Sequence, residues 1–320
     1  MRWLLAMQAQ DYAGAKWAIG IRLPGSTDAD IETAFNRGEI LRTHVLRPTW
    51  HFVAPADIRW LLMLTAPRVH AANGHLYRRL GLDAPTFRRS DAALTRALEG
   101  GHHLTRDELR TVLEQRRIAT NEERMAYLVM HAELEGLICS GPRRGKQFTY
   151  ALLEERARPT KTVSRAEALA LLARRFFRSR SPATAQDLAK WSGLTVADAR
   201  QGLESVRPML EEEHRARRAP IAHLLSVYDE YFSSYRDGSA IIASGHALRR
   251  SGTGESGLYV VAIDGAVVGR WKRALAAGRG AVELKLFRRS TPAERRALRV
   301  AIAQYTAFIA TISATPRAPA

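Results

Sequence analysis

The chain has 320 residues, of which 46% are hydrophobic, and this length suffices for two or three small domains with their own cores. Lysines and arginines number 49 against 32 aspartates and glutamates, which gives a formal net charge of +17. So large an excess favours a polyanionic partner such as nucleic acid, the alternative being a solvated basic surface in an arginine-rich protein.

The cysteine and hydropathy patterns exclude several classes of protein. A single cysteine, Cys139, excludes an intramolecular disulfide framework and a cysteine-based zinc site. It follows Leu137 and Ile138 in an apolar run, which predicts a buried, inert thiol. No apolar run approaches the roughly 18 residues that span a membrane, and the apolar patch at 3–7 is too short for a signal peptide. We expect a cytoplasmic, nucleoid-associated protein without membrane contact.

Residues 1–80 are predicted to form a first module, which opens with a helix-like run from Trp3 to Ile21. This run contains Gln8 and Gln10 in the sequence Met-Gln-Ala-Gln-Asp. Side chains that are two positions apart do not share a face of a helix. At a helix end or in an extended turn, however, the amides of Gln8 and Gln10 can reach one point.

The rest of the first module changes from helix to strand and back. Asp28 can cap a helix, and the β-branched and aromatic residues at 43–53 then predict strands. Pro48 and Pro55 limit these strands to an edge or a wing. A helix follows from Pro55, so the module has the outline of a winged helix.

Residues 81–160 repeat this outline as a second module. Thr105 to Glu108 forms a capping box, and Asn121 can cap the next helix, which Gly136 ends. A strand, a turn and a strand follow at 137–152. The turn carries Arg143, Arg144 and Lys146, which suit DNA phosphates, although an exposed turn attracts such residues in any protein.

Residues 161–222 are interpreted as a third winged-helix module and residues 223–320 as a small β-rich C-terminal domain. In the third module Ser164 and Thr195 cap helices, and Trp191 is expected in the core rather than as a stacking platform. In the last domain Asp264-Gly265 predicts a hairpin, and Thr291 begins the final helix. The predicted fold class is therefore α+β, with about three tandem winged-helix modules.

Three segments together resemble a bacterial family of winged-helix DNA glycosylases, the AlkZ/AlkX type. The first segment comprises the Gln-Ala-Gln-Asp motif at 8–11 and the stretches at 22–25 and 42–53 that follow it. The second runs from Leu225 to Tyr235, and the third runs from Asp264 to Trp271. The resemblance covers almost the whole chain. Members carry a helix ahead of the Gln motif, so a start upstream of Met1 is an alternative, and Pro48 replaces a common glycine.

The resemblance implies that Gln8 and Gln10 are catalytic, because the family uses a Gln-aliphatic-Gln or Gln-aliphatic-Asp element. It also implies activity on bulky N-alkylpurines, including interstrand crosslinks, in double-stranded DNA. We expect a monofunctional enzyme that needs no cofactor and no metal, and a monomer, since nothing indicates a palindrome-reading dimer. Asp11 is a weaker candidate for catalysis than for a role at a helix end or turn.

Several other residues are candidates for DNA contact or for an alternative chemistry. The DNA candidates are Arg47, His51, Arg143, Arg144, Lys146, Arg249 and Arg250. Metal binding by His44 and His51 is disfavoured, because no carboxylate or cysteine lies at ligand spacing. Asp229 and Glu230 could form an acid and base pair, but a structural hydrogen-bonding role is favoured.

A second function class stays open at this point. Winged helices are more often transcriptional regulators than enzymes, so the fold alone favours a non-catalytic DNA-binding protein. The position of the Gln motif favours the glycosylase.

Overall fold

A computed structural model describes residues 1–210, 219–236, 259–276 and 279–310. The chain divides into two compact units, one made of 1–7 and 34–211 and the other of 8–33 and 212–320. Helices combine with two small sheets in the first unit and with one antiparallel sheet in the second, which confirms the α+β class. The module boundaries at 80, 160 and 222 remain a prediction, and these two units group the chain in another way.

The first unit begins with a three-stranded sheet of order β1-β3-β2, in which β1 is Ala6–Gln8, β2 is Leu41–Val45 and β3 is Arg47–Val53. Of the edge or wing position expected for the proline-bearing strand, the edge is not observed, because β3 is the central strand and Pro48 lies at its second residue. Leu46 makes the tight turn from β2 to β3 with a φ of 68°. The long helix α3, Pro55–Arg79, follows from the predicted proline.

The two capped helices and the strand, turn and strand predicted for the second module are present in the next segment of the first unit. The capping box of Thr105 and Glu108 starts α5, and Asn121 caps α6. A sheet of order β4-β6-β5 follows, with the turn at 141–148 between β5 and β6. Helix α4 was not expected from the sequence. The bounds are α4 Ala84–Leu98, β4 Leu104–Thr105, α5 Arg106–Gln115, α6 Glu122–Leu134, β5 Ile138–Ser140 and β6 Thr149–Leu152.

Helices dominate the rest of the first unit. Ser164, Thr184 and Thr195 each cap a helix through a capping box. Trp191 is fully buried, as predicted, and packs with Phe176 in the larger core. The wing expected at Arg215, Arg217 and Arg218 lies outside the described residues. The bounds are α7 Leu153–Arg156, α8 Arg165–Ser179, α9 Ala185–Ser192, α10 Val196–Val206 and a 3₁₀ turn Arg207–Met209.

The second unit joins an N-terminal helical segment to a C-terminal sheet of order β10-β9-β8-β7. The predicted hairpin at Asp264-Gly265 links β8 to β9, and both residues have positive φ, as this turn requires. Strand β7 was not predicted. The bounds are α1 Tyr12–Gly20, α2 Asp28–Asn36, β7 Ala222–Leu225, α11 Glu230–Ser233, β8 Val260–Ile263, β9 Ala266–Ala276, β10 Arg279–Leu286 and α12 Pro292–Ile309.

The fold bears on the predictions for Cys139, for the cap of α2 and for membrane-spanning helices. Cys139 is fully buried, and burial raises the pKa of its thiol to about 12, in agreement with the predicted inert role. Thr27 rather than Asp28 caps α2, since its hydroxyl oxygen accepts the backbone N–H of Asp30. Within the described ranges, no helix combines the length and the apolar character that crossing a membrane demands.

Candidate active site

The Gln motif lies in an extended segment, not in the helix-like run expected from Trp3 to Ile21. Gln8 ends β1, and α1 begins only at Tyr12. Met7 and Ala9 are buried, whereas Gln8 is half-buried and Gln10 is exposed. Both glutamines therefore lie in the short connection that runs from the end of β1 to the start of α1, where they alternate with the buried Met7 and Ala9. The connection is not helical, in contrast to the helix-like run expected there.

A buried carboxylate holds the backbone of this segment. The backbone N–H of Gln8 donates to Oε1 of Glu230 at 2.8 Å, and the hydroxyl of Ser234 donates to Oε2 at 3.0 Å. Glu230 is only 3% exposed. Because both of its oxygens accept hydrogen bonds from the protein, Glu230 positions Gln8 rather than acting as a second acid or base.

Asp229, the neighbour of Glu230, also has a structural role. Its two oxygens accept hydrogen bonds from the guanidinium of Arg22 at 2.6 and 2.8 Å, and it caps α11 through the N–H of Tyr231. Burial lowers the pKa of Arg22, but the charge of Asp229, its hydrogen bonds and the charge of Glu230 together outweigh burial, so the pKa is raised. The pair joins the end of α1 to the start of α11, which agrees with the structural role favoured from the sequence.

Asp11 occupies the N-cap position of α1, although its side chain makes no capping hydrogen bond. Its Oδ2 accepts a hydrogen bond from the Tyr259 hydroxyl at 2.6 Å. Burial, followed by this hydrogen bond and the charge of Asp11, raises the pKa of the tyrosine, so the proton stays on the phenol. Asp11 therefore sits at a helix start, the role the sequence favoured for it.

The two candidates for DNA contact in β3 differ in accessibility. Arg47 is half-buried at the start of the strand, whereas His51 is fully buried, with Nδ1 2.9 Å from the carbonyl oxygen of Thr49. A phosphate contact needs an accessible side chain, so this structure does not support direct DNA contact by His51. His44 is buried as well and pairs with Glu133.

The turn at 141–148 presents its three basic residues in different ways. Arg143 lies over the ring of Phe148 at 4.2 Å, and Arg144 pairs with Glu108 at 2.7 Å. Arg144 remains 52% exposed, and Lys146 is also exposed. The turn can therefore offer charge to a phosphate chain. Arg249 and Arg250 lie outside the described residues.

An aromatic and cationic stack was not anticipated from the sequence. The buried guanidinium of Arg42 lies 4.3 Å from the ring centre of Trp50 and 4.5 Å from that of Phe148. It joins the β2–β3 ribbon to the turn at 141–148. Arg42 and Trp50 are diagonal neighbours on the paired strands β2 and β3, because Arg42 lies opposite Phe52 and Trp50 lies opposite His44. Phe148 is about a hundred residues away and has no local signal that links it to them.

Comparisons with known proteins identify the fold and the family of the chain. No curated protein matches the sequence. The structure of Streptomyces sahachiroi DNA glycosylase AlkZ matches with a TM-score of 0.78 and 19% identity, over 96% of this chain and 89% of that chain. At this identity the match establishes a shared fold. The model of the family described as DNA glycosylase AlkZ-like matches residues 1–308. The chain therefore belongs to the AlkZ-like DNA glycosylase family, whose activity is that of DNA repair glycosylases.

Proposed function

We propose that the protein hydrolyses the N-glycosidic bond of N-alkylated purines in duplex DNA, with Gln10 positioning the water and Gln8 orienting the sugar or Gln10. The observation that carries this proposal is the alternation of the buried Met7 and Ala9 with the half-buried Gln8 and the exposed Gln10 in the connection from β1 to α1. Glu230 supports it by fixing the backbone from which Gln8 projects.

The chemistry explains why two uncharged amides would suffice. A purine alkylated at N7 or N3 is positively charged and leaves as a neutral base, because the electron pair of the C1′–N bond returns to the ring. No acid is needed for the leaving group. Water forms the new C1′–O bond and gives its proton to solvent. A carboxamide oxygen can accept a hydrogen bond from that water and point its dipole at the cationic sugar.

The surroundings of the motif favour hydrolysis without strand cleavage. A Schiff base needs an accessible, neutral lysine. Lys16 is the nearest lysine to the motif in sequence, but it is buried and bound to Asp28 at 2.7 Å and Glu32 at 2.8 Å. Burial and these two ion pairs keep the Lys16 amine from a sugar carbon, so we infer a monofunctional enzyme.

Bulky and crosslinked purines are the substrates that we propose. A crosslinked base cannot rotate freely out of the duplex, so an enzyme acting on it must reach C1′ without a closed base pocket. Exposed Gln10 is compatible with such an approach. The net charge of +17 supports binding to duplex DNA, and we propose that the protein acts as a monomer.

The test uses duplex DNA with a single N7-methylguanine or a nitrogen-mustard crosslink, with abasic sites revealed by mild alkali. We expect base release by the wild type and a loss of about 10²–10³-fold in Gln10→Ala, the size found when one polar stabilising group is removed. Gln201→Ala, an exposed glutamine in α10, is the matched control and should keep full activity.

Two outcomes would overturn this assignment. Unchanged release by Gln10→Ala would remove Gln10 from the mechanism while keeping the glycosylase. DNA binding without release from any alkylated substrate would instead favour a non-catalytic member of the family.

A further inference from the structure

A group of side chains that commonly bind metals lies in the first unit, apart from the residues described above. His70 belongs to α3, His131 to α6, and Glu135 directly follows α6. One ring nitrogen of each histidine and one carboxylate oxygen of Glu135 lie within 4.8 Å of one another. His131 and Glu135 are four residues apart and therefore share one helix face. His70 approaches them from α3, with its Nε2 3.0 Å from Oε1 of Glu135.

Neighbouring residues orient both imidazole rings. Nδ1 of His70 lies 3.0 Å from the hydroxyl of Tyr77, and Nδ1 of His131 lies 3.3 Å from Oδ2 of Asp91. The ring of Phe87 stacks on the ring of His131, with ring centres 3.8 Å apart and an angle of 9° between the ring planes. Histidines that bind metals are commonly oriented in this way by a polar partner on the other ring nitrogen.

The polar atoms of the group are poorly satisfied by one another. Nε2 of His70 is buried, and among the described residues it has no hydrogen-bond partner of adequate geometry. Nδ1 of His131 is also buried, and its 3.3 Å contact with Asp91 is not an aligned hydrogen bond. Most buried polar atoms in proteins have such a partner, so these exceptions require an explanation. A bound cation would supply one for Nε2 of His70, since it would take the lone pair of that nitrogen.

The group is also accessible. His70 and Glu135 line a cleft of about 310 Å³, and the side chain of Glu135 is 49% exposed. An ion can therefore enter from solvent without unfolding the unit.

We propose that His70, His131 and Glu135 bind one divalent transition-metal ion of the zinc class, with Asp91 supporting His131. Two imidazoles and a carboxylate are a ligand set that zinc prefers, whereas magnesium and calcium prefer oxygen ligands alone. Such an ion has bond lengths of about 2.0–2.2 Å, so the side chains draw together on binding. Its fourth position is open to water. The ion links α3 to α6 and thereby stabilises the first unit.

The test uses the full chain without a polyhistidine tag, stripped with a chelator and then titrated with zinc or cobalt(II). We expect one ion per chain, a rise in the thermal unfolding temperature with zinc, and the visible absorption of low-coordinate cobalt. His70→Gln and Glu135→Gln should each weaken zinc binding by about 10–100-fold or more, the range for loss of a supporting partner. His75→Gln, an exposed histidine on the same helix, should bind zinc like the wild type.

Two results would overturn the proposal. The first is a wild-type protein that binds no zinc and gains no thermal stability. The second is equal zinc binding by the wild type and both ligand variants, which would place the ion elsewhere. Base release plays no part in these readouts, so the metal site and the glycosylase mechanism stand or fall separately.

Discussion

The carboxylate of Glu230 contacts the Gln motif at the backbone N–H of Gln8, not at the side chain of Gln8. A buried carboxylate that accepts a backbone N–H and a serine hydroxyl holds both donors in place. The arrangement fixes the backbone from which the Gln8 carboxamide projects and does not engage the carboxamide itself.

Replacing Glu230 by glutamine tests this positioning role. The substitution removes the charge and turns one acceptor into a donor, so we expect the free energy of unfolding to fall by about 1–3 kcal/mol. We also expect slower base release in single-turnover assays with an N7-methylguanine duplex. Glu283→Gln is the control, because Glu283 forms an exposed pair with Lys272 that should contribute little. A destabilised Glu230→Gln variant with a wild-type rate would show that the contact is structural only.

Among the elements, the caps were the most predictable from sequence. Thr105, Asn121, Ser164, Thr195 and Thr291 each begin a helix at the expected place, because a cap depends on residues within one turn. The segment at 3–8 was mispredicted as helix for the opposite reason. Its leucine, alanine and methionine favour helix locally, but pairing of β1 with β3 overrides that preference.

The end of α9 is held against the β2–β3 turn by a close approach. Gly193 has a φ of 74°, and a Cβ there would lie 2.5 Å from the carbonyl oxygen of Leu46. Gly145 also has a positive φ, of 60°, but a Cβ there would meet nothing within 4 Å. A side chain at Gly145 would therefore cause backbone strain alone, whereas one at Gly193 would cause the same strain and a steric overlap with Leu46.

Alanine substitutions at these two glycines should differ in cost. Gly145→Ala is expected to lower the free energy of unfolding by about 1–2 kcal/mol, the cost of a side chain in the left-handed region. Gly193→Ala should lose about 1–3 kcal/mol more, since backbone must move to admit the methyl group. Urea denaturation of both variants measures the difference. Equal losses would mean that the α9–turn contact relaxes at no cost.

The start of α12 should respond to acid. The hydrogen bonds that Glu294 accepts from Arg288, followed by that from the N–H of Thr291, hold its pKa at about 2, below the ordinary 4.5. A lowered carboxyl pKa stabilises the fold above the ordinary value, and this contribution is lost as the pH falls toward 2. Glu294→Gln should thus lower the melting temperature at about pH 6 but less at about pH 3. A pH-independent difference between variant and wild type would contradict this linkage.

At the scale of the whole molecule, the charge was the most informative property of the composition. The excess of basic residues indicated a polyanionic partner, and the family that the chain belongs to acts on DNA. The sequence could not indicate how the site is assembled. Glu230 and Gln8 are 222 residues apart, and neither carries a local signal for the other.

If DNA binding is largely electrostatic, removing one exposed positive charge from the turn at 141–148 should lower the affinity for DNA and its dependence on salt. Lys146→Ala should weaken binding to different duplex sequences about equally and reduce the slope of log K against log salt by about one. Lys161→Ala removes the same charge from an exposed position outside that turn and should change the slope less. Fluorescence anisotropy over a salt series measures both. Identical slopes for the two variants would assign the effect to net charge alone.

The distance along the chain between Gln8 and Glu230 has a consequence for synthesis. At about 5–20 residues per second, a ribosome needs roughly ten to forty seconds to reach the glutamate after it has made the glutamine. During that interval the nascent amino-terminal segment lacks the carboxylate that holds the backbone of Gln8. Because we propose that Gln8 takes part in catalysis, we expect competence to cut glycosidic bonds to arise only near the end of translation, and prematurely terminated products to be unable to attack the genome.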